Sequence, residues 1–161
     1  MEIERKYLVK ELPRELAQAE SVLIEQAYIA TSPVIRIRKR EAKNGNTYIL
    51  TIKSGGMMAH EEYELDMTAE EYETLTKKAD GNVITKRRYL IPLEDGLTVE
   101  LDVFEGAFSG LVIAEIEFPD EATANNYAAP AFLGEDVTFD GRYHNNRLSK
   151  MTPEQIKELL K

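Results

Sequence analysis

Hydrophobic and polar residues alternate with a period of two through most of this chain, and the polar positions are largely charged. Residues i, i+2 and i+4 share one face of a β-strand, so Glu2, Glu4 and Lys6 fall on one face and Ile3 and Tyr7 on the other. The device recurs as Arg36 and Arg38 against Ile35 and Ile37, then as Thr51 and Lys53 against Leu50 and Ile52. It continues as Glu62 and Glu64 against Tyr63 and Leu65, as Lys86 and Arg88, as Glu100 and Asp102 against Val99, Leu101 and Val103, and as Glu115 and Glu117 against Ile116 and Phe118. Arg87 alone breaks an apolar face, opposite Lys86 and Arg88. The pattern predicts eight strands, near 1–9, 23–30, 33–40, 47–54, 60–66, 83–92, 97–105 and 111–118. Short turn signals at Thr31-Ser32-Pro33, Lys43-Asn44-Gly45-Asn46, Ser54-Gly55-Gly56 and Glu94-Asp95-Gly96 suit antiparallel connections.

Helices are fewer. Thr68 and Glu71 form a capping box that opens a helix to about Lys78. Thr152 followed by Pro153 opens a C-terminal one, and shorter helices are predicted near 13–19 and 119–127. The fold class is therefore α+β, mainly β. Alternation fixes which residues share a face and not where that face points. Either the charges face water on an amphipathic sheet, or the strands close into a barrel with a charged lumen and an apolar outer wall. Sorting by sign favours the barrel: Arg and Lys occupy some strands and Glu and Asp others, whereas a merely solvated face would more often mix them.

Composition narrows the partners. With 161 residues, 43% hydrophobic and 30% charged, and no linker-like segment, a single domain over 1–161 is expected. No apolar run approaches the ~20 residues of a membrane span. Met1 leads straight into a strand without a signal-like core, and there are no cysteines, so a cytoplasmic protein without disulfides or thiolate metal sites is expected. Twenty basic against 29 acidic residues give a net charge of −9, which disfavours nucleic acid or anionic lipid as a partner. An anionic ligand would need a local basic site.

Taken in order, Glu2-x-Glu4-x-Lys6, Arg36-x-Arg38, Leu50-Thr51-Ile52-Lys53, Glu62-x-Glu64, Lys86-x-Arg88, the run Glu100 to Gly106 and Glu115-x-Glu117 resemble the CYTH family of triphosphate tunnel metalloenzymes. The pattern is most similar to its short bacterial inorganic tripolyphosphatases. The resemblance covers about residues 1–150. It implies an eight-stranded antiparallel β-barrel, the triphosphate tunnel, with a charged lumen and peripheral helices. It also implies a homodimer and Mg²⁺- or Mn²⁺-dependent chemistry on triphosphates.

The residue chemistry suits that reading. A triphosphate carries roughly four to five negative charges, and drawing it into a water-poor lumen requires compensation of similar size. Lys6, Arg36, Arg38, Lys53, Lys86 and Arg88 can supply it, with Arg147 and Lys150 as further candidates at the tunnel end. Glu2, Glu4, Glu115 and Glu117 are the candidate ligands for hard divalent cations. Glu62, Glu64, Glu100 and Asp102 would form a second site, orient water or act as counter-ions. The catalytic set expected is Glu2, Glu4, Lys86, Arg88, Glu115 and Glu117, with metal-activated water attacking the terminal phosphorus in line and Lys86 or Arg88 offsetting charge on the leaving oxygen. Tyr28 either enters the lumen beside Gln26 or packs. His60 and His144 show no ligand spacing and read as surface or ordinary hydrogen-bonding residues, and Gly55-Gly56 reads as a hairpin turn.

The substrate expected is inorganic tripolyphosphate. The chain has no Trp to stack on a thiamine ring, and Glu2 directly after Met1 leaves no room for the His-Phe pair that precedes ExExK in the cyclases of the family. Nucleoside or thiamine triphosphate hydrolysis, a class IV-type adenylate cyclase and a non-catalytic polyphosphate- or nucleotide-binding module are the alternatives. An outer wall including Ile35, Ile37, Val99, Leu101 and Val103 exceeds what short helices can cover, which predicts a dimer.

Overall fold

The computed structural model describes residues 1–55 and 58–161. Its strands are β1 (Glu2–Val9), β2 (Glu20–Thr31), β3 (Val34–Ala42), β4 (Gly45–Lys53), β5 (Ala59–His60), β6 (Glu62–Met67), β7 (Asp80–Pro92), β8 (Thr98–Phe104), β9 (Val112–Glu117) and β10 (Leu133–Asp136). They form a ten-stranded sheet in the order β10-β1-β9-β8-β7-β2-β3-β4-β6, antiparallel throughout, with β5 returning to β1. All eight predicted strands are present. The fifth divides at Glu61, so that Lys53 pairs with Glu62 on the β4 side while Glu2 pairs with His60 on the β1 side. That bridge curls the sheet into a nearly closed barrel, which leaves few open backbone edges. The short β10, without alternation of its own, was not foreseen. Of the Gly55-Gly56 turn, Gly56 lies outside the described residues.

Helices cover the outer wall where predicted. α1 (Ala69–Thr76) opens with the capping box: the Glu71 amide donates to the Thr68 hydroxyl at 3.1 Å, and the Thr68 amide donates to the Glu71 carboxylate at 2.8 Å. It packs Tyr72 onto Ala27 and Ile37. α2 (Glu121–Asn125) starts at an Asp120 cap, and with a 3-10 turn over Arg14–Gln18 it covers Val99, Leu101 and Ile116. Burying such side chains stabilises the fold by about 1.5–3 kcal/mol each. Arg87 is accommodated by donating to the Ser21 hydroxyl at 3.3 Å.

The lumen face itself changes character along the barrel. Two residues beyond Lys6, Glu115, Asp102, Lys86 and Arg36 on the same faces stand Leu8, Ile113, Phe104, Ile84 and Val34. These apolar residues pack with Val137, Tyr143, Leu148 and Ile156 from the C-terminal segment, which carries α3 (Asn145–Leu148) and α4 (Pro153–Leu159). The C-terminal segment thus roofs one end of the barrel with a second core. Gly81 permits its docking: the Asn82 amide donates to Ser149 O at 2.6 Å, and a Cβ on Gly81 would stand 2.1 Å from that oxygen.

The expectation that Ile37, Val99 and Leu101 need a partner subunit is corrected here, because all three are 0% exposed within the single chain. Exposed large apolar residues lie elsewhere, at Ile52, Tyr63 and Leu65 together on β4 and β6 and singly at Met1, Leu12, Val83 and Phe139. Among the described residues no helix is long and apolar enough to cross a membrane.

Candidate anion site in the lumen

The charged half of the barrel encloses a cavity of about 120 Å³. Most of the residues singled out by alternation line it: Glu2, Glu4 and Lys6 from β1, Arg36 and Arg38 from β3, Lys53 from β4, Glu62 from β6, Arg88 from β7, Glu100 from β8 and Glu115 from β9. Tyr28 lines it as well while packing into the core beneath the roof, so both of its readings apply. Lys86 and Asp102 lie just behind the wall, almost wholly buried. Besides these, four predicted residues are not brought to the cavity. Glu64, Glu117 and Arg147 are exposed and outside its lining. Lys150 is also exposed, in an ion pair with Asp80.

Reasoning from sequence missed His60, Ser54, His144, Asn145 and Asn146, all of which line the cavity. Of the two readings of His60, surface or hydrogen-bonding, the second holds: it is 7% exposed, with Nε2 against Glu2 Oε1. It stands two residues before Glu62 on the same face, so the alternation could have found it. The asparagines arrive on the roof segment, for which the strand pattern gives no signal.

Two adjoining stretches of wall hold their cations differently. On β7 and β8, Arg88 donates from Nε and NH2 to the two Asp102 oxygens at 2.8 and 2.9 Å and also meets Glu100. Lys86 Nζ lies 2.7 Å from Asp102, 3.4 Å from Asn145 Oδ1, and 5.3 Å from the Phe104 ring centre. Burial pushes Lys86 down to about 8 in spite of Asp102. Burial works against the Asp102 charge too, but Arg88 and Lys86 outweigh it and hold the carboxylate below its usual range.

On β2 and β3 no carboxylate among the described residues comes within salt-bridge distance of the lumen cations, although Glu62 and Asp102 act on them from further off. Arg36 is 5% exposed, its NH2 reaches only the Thr51 hydroxyl at 3.4 Å, and its Nε has no partner. Arg38 donates from Nε to the neutral Gln26 at 3.3 Å. Burial, with Arg36 and Arg88 nearby, pushes the Arg38 guanidinium well below the ordinary arginine value. Neither arginine makes a salt bridge among the described residues. Such a pair is suited to an anion, since a charge held in the wall without a direct counter-ion is destabilising until one arrives.

The acids crowd at the β1 side. Lys53 Nζ lies 3.1 Å from Glu2, and burial, which would raise Glu2, is outweighed by hydrogen bonds with His60 and Glu62 and by the Lys53 charge, so Glu2 is held low. Glu62 is pushed up to about 7 by burial and by the hydrogen bond it shares with Glu2. Burial and the Glu115 charge drive Glu4 well above the carboxylate range. Burial opposes the charge of Glu115, but Lys6 at 3.5 Å with Arg88 and Lys86 hold it low. Glu117, raised by burial and then by Glu2 and Glu100, stands at the rim of the same cluster. Crowded carboxylates that take up protons are a place where a divalent cation would substitute for the proton. Donor atoms of Glu2, Glu4 and His60 lie within 4.8 Å of one another, a spacing that fits one metal ion.

Comparison with known proteins agrees with this geometry. An inorganic triphosphatase of Nitrosomonas europaea is 38% identical over 152 residues, covering 94% of this chain and 99% of that protein. An inorganic triphosphatase of Acetivibrio thermocellus is 36% identical over 159 residues, covering 98% of each. A crystal structure of an inorganic triphosphatase superposes with a TM-score of 0.70 at 35% identity, covering 95% of this chain and 97% of the other. Residues 1–152 match the CYTH domain, and with a nearly closed antiparallel barrel around a charged lumen, the chain belongs to the CYTH family.

Proposed function

We propose that the protein is a divalent-metal-dependent triphosphatase that hydrolyses inorganic tripolyphosphate to pyrophosphate and phosphate in the lumen. The observation that carries this reading is the pair Arg36, buried, and Arg38, half-buried, which line the cavity with no carboxylate in salt-bridge contact among the described residues. A counter-charge at 4 Å is worth about 4 kcal/mol at an effective dielectric of ~20. Two relatives named inorganic triphosphatase, matching over nearly the full chain, support the same substrate. Tyr28 is the only aromatic ring besides the two histidines among the described lining residues, which leaves little surface for a nucleobase or a thiamine ring to stack on.

In this reading Arg36, Arg38, Lys53 and Lys6 bind the phosphate chain, the arginines through paired N–H donors and the lysines as movable point charges. Glu2, Glu4 and Glu115 would hold Mg²⁺ or Mn²⁺ with help from His60, and Glu117 would contribute from the rim. When bound, the metal supplies neutralisation and Lewis-acid polarisation of phosphoryl oxygens. Arg88, which lines the cavity and is held by Asp102 with Lys86 behind it, faces the developing charge as water adds to the terminal phosphorus and the bond to the bridging oxygen breaks, its electron pair leaving with pyrophosphate. Glu62, Glu100 and Tyr28 orient the groups around them, and the family pattern would give Glu64 and Arg147 supporting parts at the tunnel ends. The chain acts as one tunnel domain over 1–161, in the cytoplasm, and dimerises through the exposed Ile52, Tyr63 and Leu65.

The test is phosphate release from tripolyphosphate, with ATP, thiamine triphosphate and pyrophosphate alongside, in Mg²⁺, Mn²⁺ and EDTA. Strong release from tripolyphosphate that EDTA abolishes and Glu4→Gln removes is the expected result. Near-normal turnover by Glu4→Gln would overturn the metal assignment, and preferential cleavage of ATP would overturn the substrate.

A further inference from the structure

We infer that Gln26 is a positioning residue that holds Arg38 ready for an anion without neutralising it, an inference that rests on the anion-binding part of the proposed function. Gln26 sits on β2 directly opposite Arg38 on β3, with Ile84 of β7 on its other side. It is 0% exposed, and its Oε1 accepts from Arg38 Nε at 3.3 Å. Its Nε2 has no hydrogen-bond partner among the described residues.

That arrangement is poor for stability alone. An orphaned buried N–H donor is destabilising, and a glutamate of the same shape would remove it while pairing with Arg38. The neighbouring wall shows that solution: Asp102 occupies the Nε and NH2 edge of Arg88 and cancels its charge. At Arg38 the neutral amide fixes the Nε edge and leaves both terminal nitrogens, and the full positive charge, for two oxygens of a ligand. The choice of amide over acid at position 26 thus separates a cation kept for a ligand from one consumed by the fold.

The experiment compares Gln26→Glu and Gln26→Leu, each in the natural chain and with Arg38→Met. Binding of tripolyphosphate and of pyrophosphate is measured by calorimetry in EDTA, and thermal unfolding is measured without ligand. Gln26→Glu should raise the ligand-free midpoint by about 3 °C or more and weaken anion binding about 10- to 100-fold. Gln26→Leu should weaken binding by a smaller factor and raise KM more than it lowers kcat. With Arg38→Met, Gln26→Glu should lose both effects. A Gln26→Glu protein that binds tripolyphosphate as tightly as the natural chain, or that is less stable or unfolded, overturns the inference. Should the natural chain bind neither anion, the proposed function falls, while the ligand-free midpoints still decide whether Gln26 spares the charge of Arg38.

Discussion

The β7–β8 and β2–β3 stretches of the lumen wall adjoin each other and carry the same kind of cation, yet they treat it in opposite ways. Arg88 and Lys86 share Asp102, with Glu100 and Asn145 completing the set, so their charge belongs to the fold. Arg36 and Arg38 meet only Thr51 and Gln26, which are neutral. A buried ion pair contributes little net stability but is costly to break, whereas a buried unpaired charge is better removed, as far as the fold is concerned. The difference separates cations that hold the site's shape from cations held back for a ligand.

Breaking the compensated wall should give the largest effect. Asp102→Asn leaves Lys86 and Arg88 buried with no shared carboxylate, and chemical unfolding should show a loss of about 3–5 kcal/mol. Acid sharpens the same point. The Asp102 carboxylate is held below its ordinary 3.8 in the folded protein, so its contribution is present above that pH and is lost as pH falls through the lower folded value. The Asp102→Asn protein should therefore lose less stability than the natural chain on going below pH 3.8, and an unchanged acid limb would assign the compensation elsewhere.

Next in size is the roof that covers the compensated wall. Gly81 has φ +84°, and Ser149 O would meet a new Cβ at 2.1 Å. Gly81→Ala should lose about 1–3 kcal/mol through backbone strain and loosen the segment that brings Asn145 to Lys86. Tripolyphosphate turnover should fall further than the stability change alone explains. Comparable to it in binding, but opposite in stability, is Arg38→Met. Loss of a charge-assisted contact should weaken tripolyphosphate binding by about 1.5–3 kcal/mol, while the ligand-free protein becomes no less stable. If unfolding instead shows Arg38→Met to be as destabilised as Asp102→Asn, the two walls do not differ.

This asymmetry was only half legible in the sequence. Period-two alternation grouped Glu2, Glu4 and Lys6, Arg36 and Arg38, and Thr51 and Lys53 on single strand faces, because a strand has only two faces to offer, and the sorting by sign with the family resemblance turned those faces inward. It could not say which cations are compensated, since that depends on register between strands: Arg88 faces Asp102 from fourteen residues away, and Arg38 faces Gln26 and not an acid. Nor does a face specify height along the barrel. Lys6 and Leu8 share a face, but one meets the cavity and the other the roof core. The strand split at Glu61 and the strand β10 follow from closing the barrel, a long-range constraint with no local signature. His60 was passed over because it was weighed as a histidine and not as the first member of the alternation through Glu62 and Glu64.

Height along the barrel also sets the smallest expected effects. Glu64 shares its face with Glu62, and Arg147 lies one residue beyond Asn146, yet both are exposed and outside the cavity lining. Pattern alone would assign them to the ligand, whereas position assigns them to solvent, where a charge keeps its hydration and gains little from a distant anion. Glu64→Gln and Arg147→Ala should each alter stability by no more than about 0.5 kcal/mol and leave the KM for tripolyphosphate unchanged. A clear rise in KM for Arg147→Ala would mean that the roof segment moves over the lumen when the ligand binds. The neutral contact that Asn145 makes with Lys86 would then be only the resting half of the site.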